Sequence, residues 1–152
     1  MTSQKFYFDS REKKNDHIKD YFDRHGIEWE VRKLDCGDYM LDGQSNITVD
    51  RKQSLQELSS NLLNKADSAR FWREVRRAHE QGIKLVVLIE SGRTVKTIND
   101  VVRWKSKYSP VNGRRLIDEM IRLEMSYGVR WAFCDRRSTG RRIIEILTGQ
   151  ID

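Results

Sequence analysis

Asp50 and Lys52, two residues apart in Val49-Asp50-Arg51-Lys52, place a carboxylate beside an ammonium, and Asp38 supplies a second carboxylate twelve residues upstream. Phosphodiester hydrolysis needs such groups. A divalent cation neutralises charge and activates water, and a hard cation such as magnesium takes oxygen ligands from one or two carboxylates plus water and substrate oxygens. Asp38 and Asp50 have the chemistry to hold the cation. Lys52 has the chemistry to orient the water and stabilise charge in the transition state. The plainer reading of Asp50 and Lys52, an exposed pair on a strand edge, stands beside this one.

The elements that must position these groups lie in residues 37–52. Two apolar-alternating runs, GDYML and ITVDRK, flank the polar link Asp42-Gly43-Gln44-Ser45-Asn46, the pattern of a hairpin. Alternation puts Asp50 and Lys52 on one face, with Ile47, Val49 and the stem of Arg51 on the other. An antiparallel register that brings Asp38 to Asp50 completes the site.

Upstream, residues 5–8 predict a first strand ending at Asp9, and Ile18, Tyr21, Phe22 and His25 a helix stopped by Gly26. Ile27, Trp29 and Val31 alternate as a half-buried strand leading into the hairpin. Downstream, Leu55, Leu58 and Leu62 form a helical stripe behind the capping signature Ser54-Leu55-Gln56-Glu57. A second helix runs over about residues 67–81, with Phe71, Val75 and Ala78 inward and Gly82 as its stop. Residues 85–89 form a fully buried strand closed by Glu90. A helix with Leu116, Met120 and Leu123, a strand with Val129, Trp131 and Phe133 on one side, and a helix with Ile143, Ile144 and Leu147 follow. The result is one α/β domain over residues 1–152, a mixed central β-sheet flanked by helices, with the Leu85 strand at its centre and the early strands paired antiparallel.

Twenty-nine Lys and Arg against 23 Asp and Glu leave a net charge of +6, which points to a polyanionic partner. The most basic stretch is residues 92–115. Within it Arg103, Trp104, Lys105, Lys107 and Tyr108 interleave cations with aromatics, which suits phosphates and unpaired bases; the competing reading has Trp104 in the core and the lysines solvated. Arg136, Arg137, Arg141 and Arg142 form a second basic group. Cys36 and Cys134, with no CxxC, read as reduced, buried thiols in a cytoplasmic protein. The longest apolar run is too short to span a bilayer, and no GxxxxGK[ST] loop provides for a nucleotide cofactor. His17, His25 and His79 share no metal spacing and read as surface or packing residues.

GDYML followed by VDRK resembles the nuclease motif of the XPF family of structure-specific endonucleases, in the PD-(D/E)xK superfamily. The resemblance extends through Asp9-Ser10-Arg11-Glu12, Arg70-Phe71 with Glu74, Glu90, Tyr108-Ser109-Pro110 and Tyr127-Gly128-Val129. It implies a restriction-endonuclease-like fold and an Mg2+- or Mn2+-dependent endonuclease on branched DNA, working in repair, recombination or replication. It suggests DNA binding alone or as a homodimer through the C-terminal helices, and a free-standing single domain fits a bacterial, phage or mobile-element source. By resemblance, Asp38, Asp50, Asp9, Glu12 and the carbonyl of Arg51 would surround the metal, while Lys52 positions the nucleophile and Arg11 touches the scissile phosphate or holds the carboxylates. Arg51, Arg70, Arg103, Trp104, Lys105, Lys107, Tyr108 and Arg114 would contact DNA. For Arg51 a structural ion pair is the competing role, and Arg70 and Glu74 also read as a simple i,i+4 pair.

Two positions depart from the family pattern. Asp50 stands where the family has Glu, and Gln56 stands at its final acid, with Glu57 one place later as the capping acid. Gln56 would hydrogen-bond water or phosphate. The rivals to a branched-DNA nuclease are a catalytically weakened DNA-binding or scaffold module, and a nuclease of the same superfamily for linear ends or RNA.

Overall fold

A computed structural model describes residues 4–150. The chain alternates strands and helices: β1 (Lys5–Asp9), α1 (Asp16–Arg24), β2 (Glu28–Arg32), β3 (Tyr39–Leu41), β4 (Gln44–Lys52), α2 (Leu55–Leu63), α3 (Lys65–Glu80) and β5 (Lys84–Glu90). A 3-10 helix (Ile98–Arg103), α4 (Gly113–Tyr127), β6 (Arg130–Cys134), a second 3-10 turn (Arg136–Ser138) and α5 (Thr139–Leu147) complete it. Among the described residues no helix is long and apolar enough to cross a membrane.

One six-stranded mixed sheet runs in the order β2-β1-β3-β4-β5-β6. β5 shows why it is three layers deep. Leu85, Val87 and Ile89 enter a core with Leu58 and Leu62 of α2, Phe71 and Val75 of α3, and Leu116, Met120 and Leu123 of α4. Val86 and Leu88 point the other way, to Phe6, Phe8, Val49, Ile18 and Phe22 of α1, and Ile143 and Leu147 of α5. Burying a large apolar side chain fully contributes about 1.5–3 kcal/mol. Phe22 adds edge-to-face contacts with Phe6 and Phe8, ring centroids 5.2 and 5.0 Å apart.

Helix boundaries follow their local signals. Ser54 Oγ accepts from the Glu57 amide at 3.0 Å and starts α2, and Asn112 Oδ1 accepts from the Arg115 amide at 3.0 Å and starts α4. Glu57 closes the first turn by accepting from the Gln53 amide at 2.7 Å.

Three expectations are corrected by non-local pairing. β2 does not lead antiparallel into the hairpin; α1 acts as a crossover, so β2 pairs parallel with β1 at the sheet edge, which leaves Val31 52% exposed. The hairpin link is two residues, Asp42-Gly43, because Gln44 already pairs with Leu41; the register then shifts so that Tyr39 faces Val49. The Leu85 strand, though buried on both faces, is next to the edge strand β6, and β3 and β4 hold the centre.

Candidate active site

The site is built where the loop before β3 meets the end of β4. The Asp38 amide donates to the Val49 carbonyl at 2.7 Å, and Asp38 Oδ2 accepts from the Arg51 amide at 2.8 Å. These bonds draw Asp38 against Asp50. Asp38 is raised well above the usual carboxylate range by burial, then by the Asp50 charge and a hydrogen bond with Asp50, despite the Arg51 amide.

Asp50 is buried, and its Oδ2 has no hydrogen-bond partner among the described residues. Lys52 Nζ lies 3.1 Å from that oxygen, close enough for charge pairing but without hydrogen-bond alignment. Burial works to lower Lys52, yet the Asp50 and Asp38 charges outweigh it and hold the pKa above the ordinary lysine value. Lys52 is therefore an ammonium at neutral pH, seated 4.8 Å from the Phe71 ring centroid.

α3 contributes a third acid, Glu74, whose Oε1 accepts from the Gly37 amide at 2.7 Å. Burial and then the Asp50 charge push it up to about 7. Gly37 is needed here. Its φ is +76°, and a Cβ would lie 2.0 Å from Thr48 Oγ1. Glu74 makes no ion pair with Arg70 among the described residues; only its place in the Arg70-Phe71…Glu74 pattern signals it in sequence.

Two crowded acids with an unpartnered buried oxygen, at an open cleft of about 560 Å³, fit a hard divalent cation that keeps several waters. The protein itself supplies a small donor set. Among the described residues no group of three or more His, Cys, Asp or Glu side chains is arranged to hold a metal ion.

The other expected acids already accept donors from the protein. Asp9 Oδ1 accepts from the Leu34 amide at 2.8 Å and from Arg11 Nη2 at 3.1 Å, while Oδ2 accepts from the Arg11 amide and Nε at 3.1 and 2.9 Å. Burial acts to raise Asp9, but these Arg11 and Leu34 bonds win and lower it. Asp9 lines the same cleft as Asp38 and Asp50 and anchors the β1 exit, and Arg11, which also donates to the Leu34 carbonyl at 2.8 Å, holds this carboxylate. Glu12 lines the cleft, but Arg51 Nε donates to its Oε2 at 2.7 Å and the Tyr39 hydroxyl donates to the same oxygen.

Arg51 points away from Asp50 and Lys52, as strand alternation requires. Its side chain is 1% exposed, with Nη1 donating to Glu90 Oε1 and Nη2 to the Lys13 carbonyl, both at 2.7 Å. It is a buried structural cation, and the expectation that its guanidinium contacts DNA is corrected by that burial. Glu90 also accepts from Thr139 Oγ1 and meets His17 Nε2, each at 2.6 Å. Burial tends to raise Glu90; Thr139, His17 and Arg51 together lower it. His17 and Thr139 had no readable signal, since their partner lies 73 and 49 residues away.

The basic residues divide in two. Arg70 is exposed at the cleft, joined there by Arg73 and Arg77, which sequence reasoning did not select for the site. Arg103, Lys105, Lys107, Tyr108 and Arg114 are exposed beyond α2, Tyr108 at 83%, with Arg114 3.8 Å from Asp118. Trp104 is half-buried against the α2–α4 core, so only part of its ring is open to a base. Gln56 is engaged within the protein: its Nε2 donates to Ser106 Oγ at 3.1 Å and its Oε1 accepts from the Lys107 amide at 3.2 Å. It ties the basic strip to α2.

Comparisons with known proteins bear on the family and the fold. A family model described as the ERCC4 domain matches residues 8–145. No match is found among curated proteins. Of solved structures, XPF from Aeropyrum pernix aligns with a TM-score of 0.71 at 20% identity, covering 96% of this chain and 64% of that one. XPF from Aeropyrum pernix in complex with DNA aligns with a TM-score of 0.69 at 20% identity and the same coverage. At this identity the likeness establishes the fold, a helix-flanked mixed sheet, and the chain spans less than two thirds of either structure's length.

Proposed function

This chain belongs to the ERCC4 domain family, and from that premise we propose that it is a divalent-metal-dependent endonuclease that hydrolyses phosphodiester bonds in DNA, with branched structures such as flaps, forks and junctions as its substrates. The observation that carries the reading is the Asp38–Asp50 pair with its unpartnered Oδ2 beside a charged Lys52. Asp38, Asp50 and the Arg51 carbonyl would hold Mg2+ or Mn2+, which supplies charge neutralisation and an activated water when bound. Lys52, 3.1 Å from Asp50, would orient the water and stabilise charge in the transition state. Arg51 locks the end of β4 from behind through Glu12 and Glu90. Arg11 and Asp9 fix the loop that carries Leu34 toward the site. Arg70, Arg73 and Arg77 provide phosphate contacts at the rim.

A second copy pairing through the C-terminal helices is part of the proposal, supported by Ile121 and Met125 of α4, the latter 81% exposed. Sedimentation at several concentrations tests it. The rival DNA-binding module draws support from the small donor set among the described residues and from Gln56, committed to Ser106 and Lys107.

Labelled flap, fork, Holliday-junction and linear duplex DNA, incubated with Mg2+, Mn2+ or EDTA, decide between them. Metal-dependent cutting of branched substrates, leaving 5′-phosphate and 3′-hydroxyl ends and lost in Asp50→Ala and Lys52→Ala, is the expected result. Tight binding without cutting under either metal would establish the binding module instead.

A further inference from the structure

Next to the catalytic cleft lies a second cavity, of about 540 Å³, that the mechanism above does not use. It opens at the carboxyl ends of β4 and β5. Leu55, Val95 and Trp104 give it an apolar wall, and Arg103 and Lys107 contribute cations to its lining. The two cavities share the first turn of α2: Ser54, Leu55 and Gln56 line this one, and Glu57 lines the cleft. A helical turn rises about 5.4 Å, so a strand whose phosphate lies against Lys52 brings the base of a neighbouring nucleotide within reach.

The charge around the cavity suits that occupant. Its two carboxylates are already engaged: Glu90 by Arg51, His17 and Thr139, and Asp100 by the Lys96 and Thr97 amides at 2.9 and 3.1 Å. Among the described residues neither Lys105 nor Lys107 is in an ion pair, and Gln56 fixes Lys107 beside the cavity. An apolar, aromatic wall bordered by cations accepts a flat heteroaromatic ring with phosphates on either side. A base within a duplex is stacked and paired, and extruding it costs a few kcal/mol. An unpaired base enters without that cost.

We propose that this cavity receives the unpaired nucleobase next to the scissile phosphate, and thereby reads the boundary between single and double strand. The inference rests on the nuclease reading and adds to it a physical source of structure selectivity.

The experiment walks a single abasic residue along the cut strand of a forked DNA and measures binding by fluorescence anisotropy in EDTA, where cutting is prevented. Intact duplex serves as reference. Binding should fall about 10-fold when the abasic residue occupies one position next to the mapped cut, the size of one lost base–aromatic stack, and change little elsewhere in the single strand. Thr94→Trp tests the cavity directly, since Thr94 lines it, is exposed, and lies outside both cores. That variant should bind the intact fork about as weakly as wild type binds the abasic one, show no further abasic effect, and keep its duplex affinity. A flat abasic series in wild type that still binds and cuts forks would overturn this inference alone, as would an unaltered fork affinity in Thr94→Trp. Absence of any DNA binding and cutting would overturn the nuclease reading as well.

Discussion

Glu74→Gln should make the metal-free protein more stable at alkaline pH while leaving it nearly unchanged at pH 5. Glu74 sits at about 7 against its ordinary 4.5, pushed up by burial and by Asp50. Below pH 4.5 it is protonated in both the folded and unfolded states. Between 4.5 and 7 the folded protein holds a proton that the unfolded chain has released, so stability falls as pH rises through that window, and above 7 the loss is complete. At about 1.4 kcal/mol per pH unit the full gap is about 3 kcal/mol; because Glu74 is only half-buried, screening reduces the expected loss to about 2 kcal/mol. Glutamine keeps an oxygen to accept from the Gly37 amide and cannot ionise. Urea unfolding in EDTA at pH 5 and pH 8 measures the effect. Wild type should lose about 2 kcal/mol more than Glu74→Gln between the two, while the raised Asp38 leaves a residual loss in both proteins. Equal losses in the two proteins would refute the argument that Glu74 and Asp50 repel across the cleft.

Arg51→Met leaves Glu12 and Glu90 buried without their cation, and should cost about 3–5 kcal/mol in thermal or urea unfolding. Gly37→Ala and Gly43→Ala separate strain from crowding. Both glycines have positive φ, +76° and +82°, but only at Gly37 does a Cβ meet Thr48, so Gly43→Ala should cost about 1 kcal/mol and Gly37→Ala clearly more in the same unfolding measurement. Gln56→Ala removes the acceptor for the Lys107 amide; hydrogen exchange at that amide should accelerate while the amides of β4 and β5 exchange as before.

Much of the fold is legible because its signals are local. The alternation through Ile47, Val49 and Arg51 against Asp50 and Lys52 follows from the period of an extended backbone, and the structure keeps both faces as that period requires. The Leu55, Leu58 and Leu62 stripe, the Ser54 cap and the doubly buried strand after Gly82 follow likewise from helix and strand geometry. The position of β2 was not legible, because Ile27, Trp29 and Val31 alternate equally well in a parallel edge strand and in an antiparallel one.

At the site, sequence by itself determined which residues have the chemistry: Asp38, Asp50 and Lys52, with Asp9, Glu12 and Arg11 as further candidates. Only the tertiary structure decided which donors each carboxylate meets. Asp9 is taken by Arg11 and the Leu34 amide, Glu12 by Arg51 and Tyr39, and Glu74 arrives from α3 to face Asp50. A carboxylate's role depends on which donors reach it, and for Asp9 and Glu12 those donors come from as far as 39 residues away in sequence, as Arg51 does for Glu12. Side-chain period is a property of the local backbone. For these buried carboxylates charge partnership is a property of the packed chain, and no periodicity along the sequence encodes it.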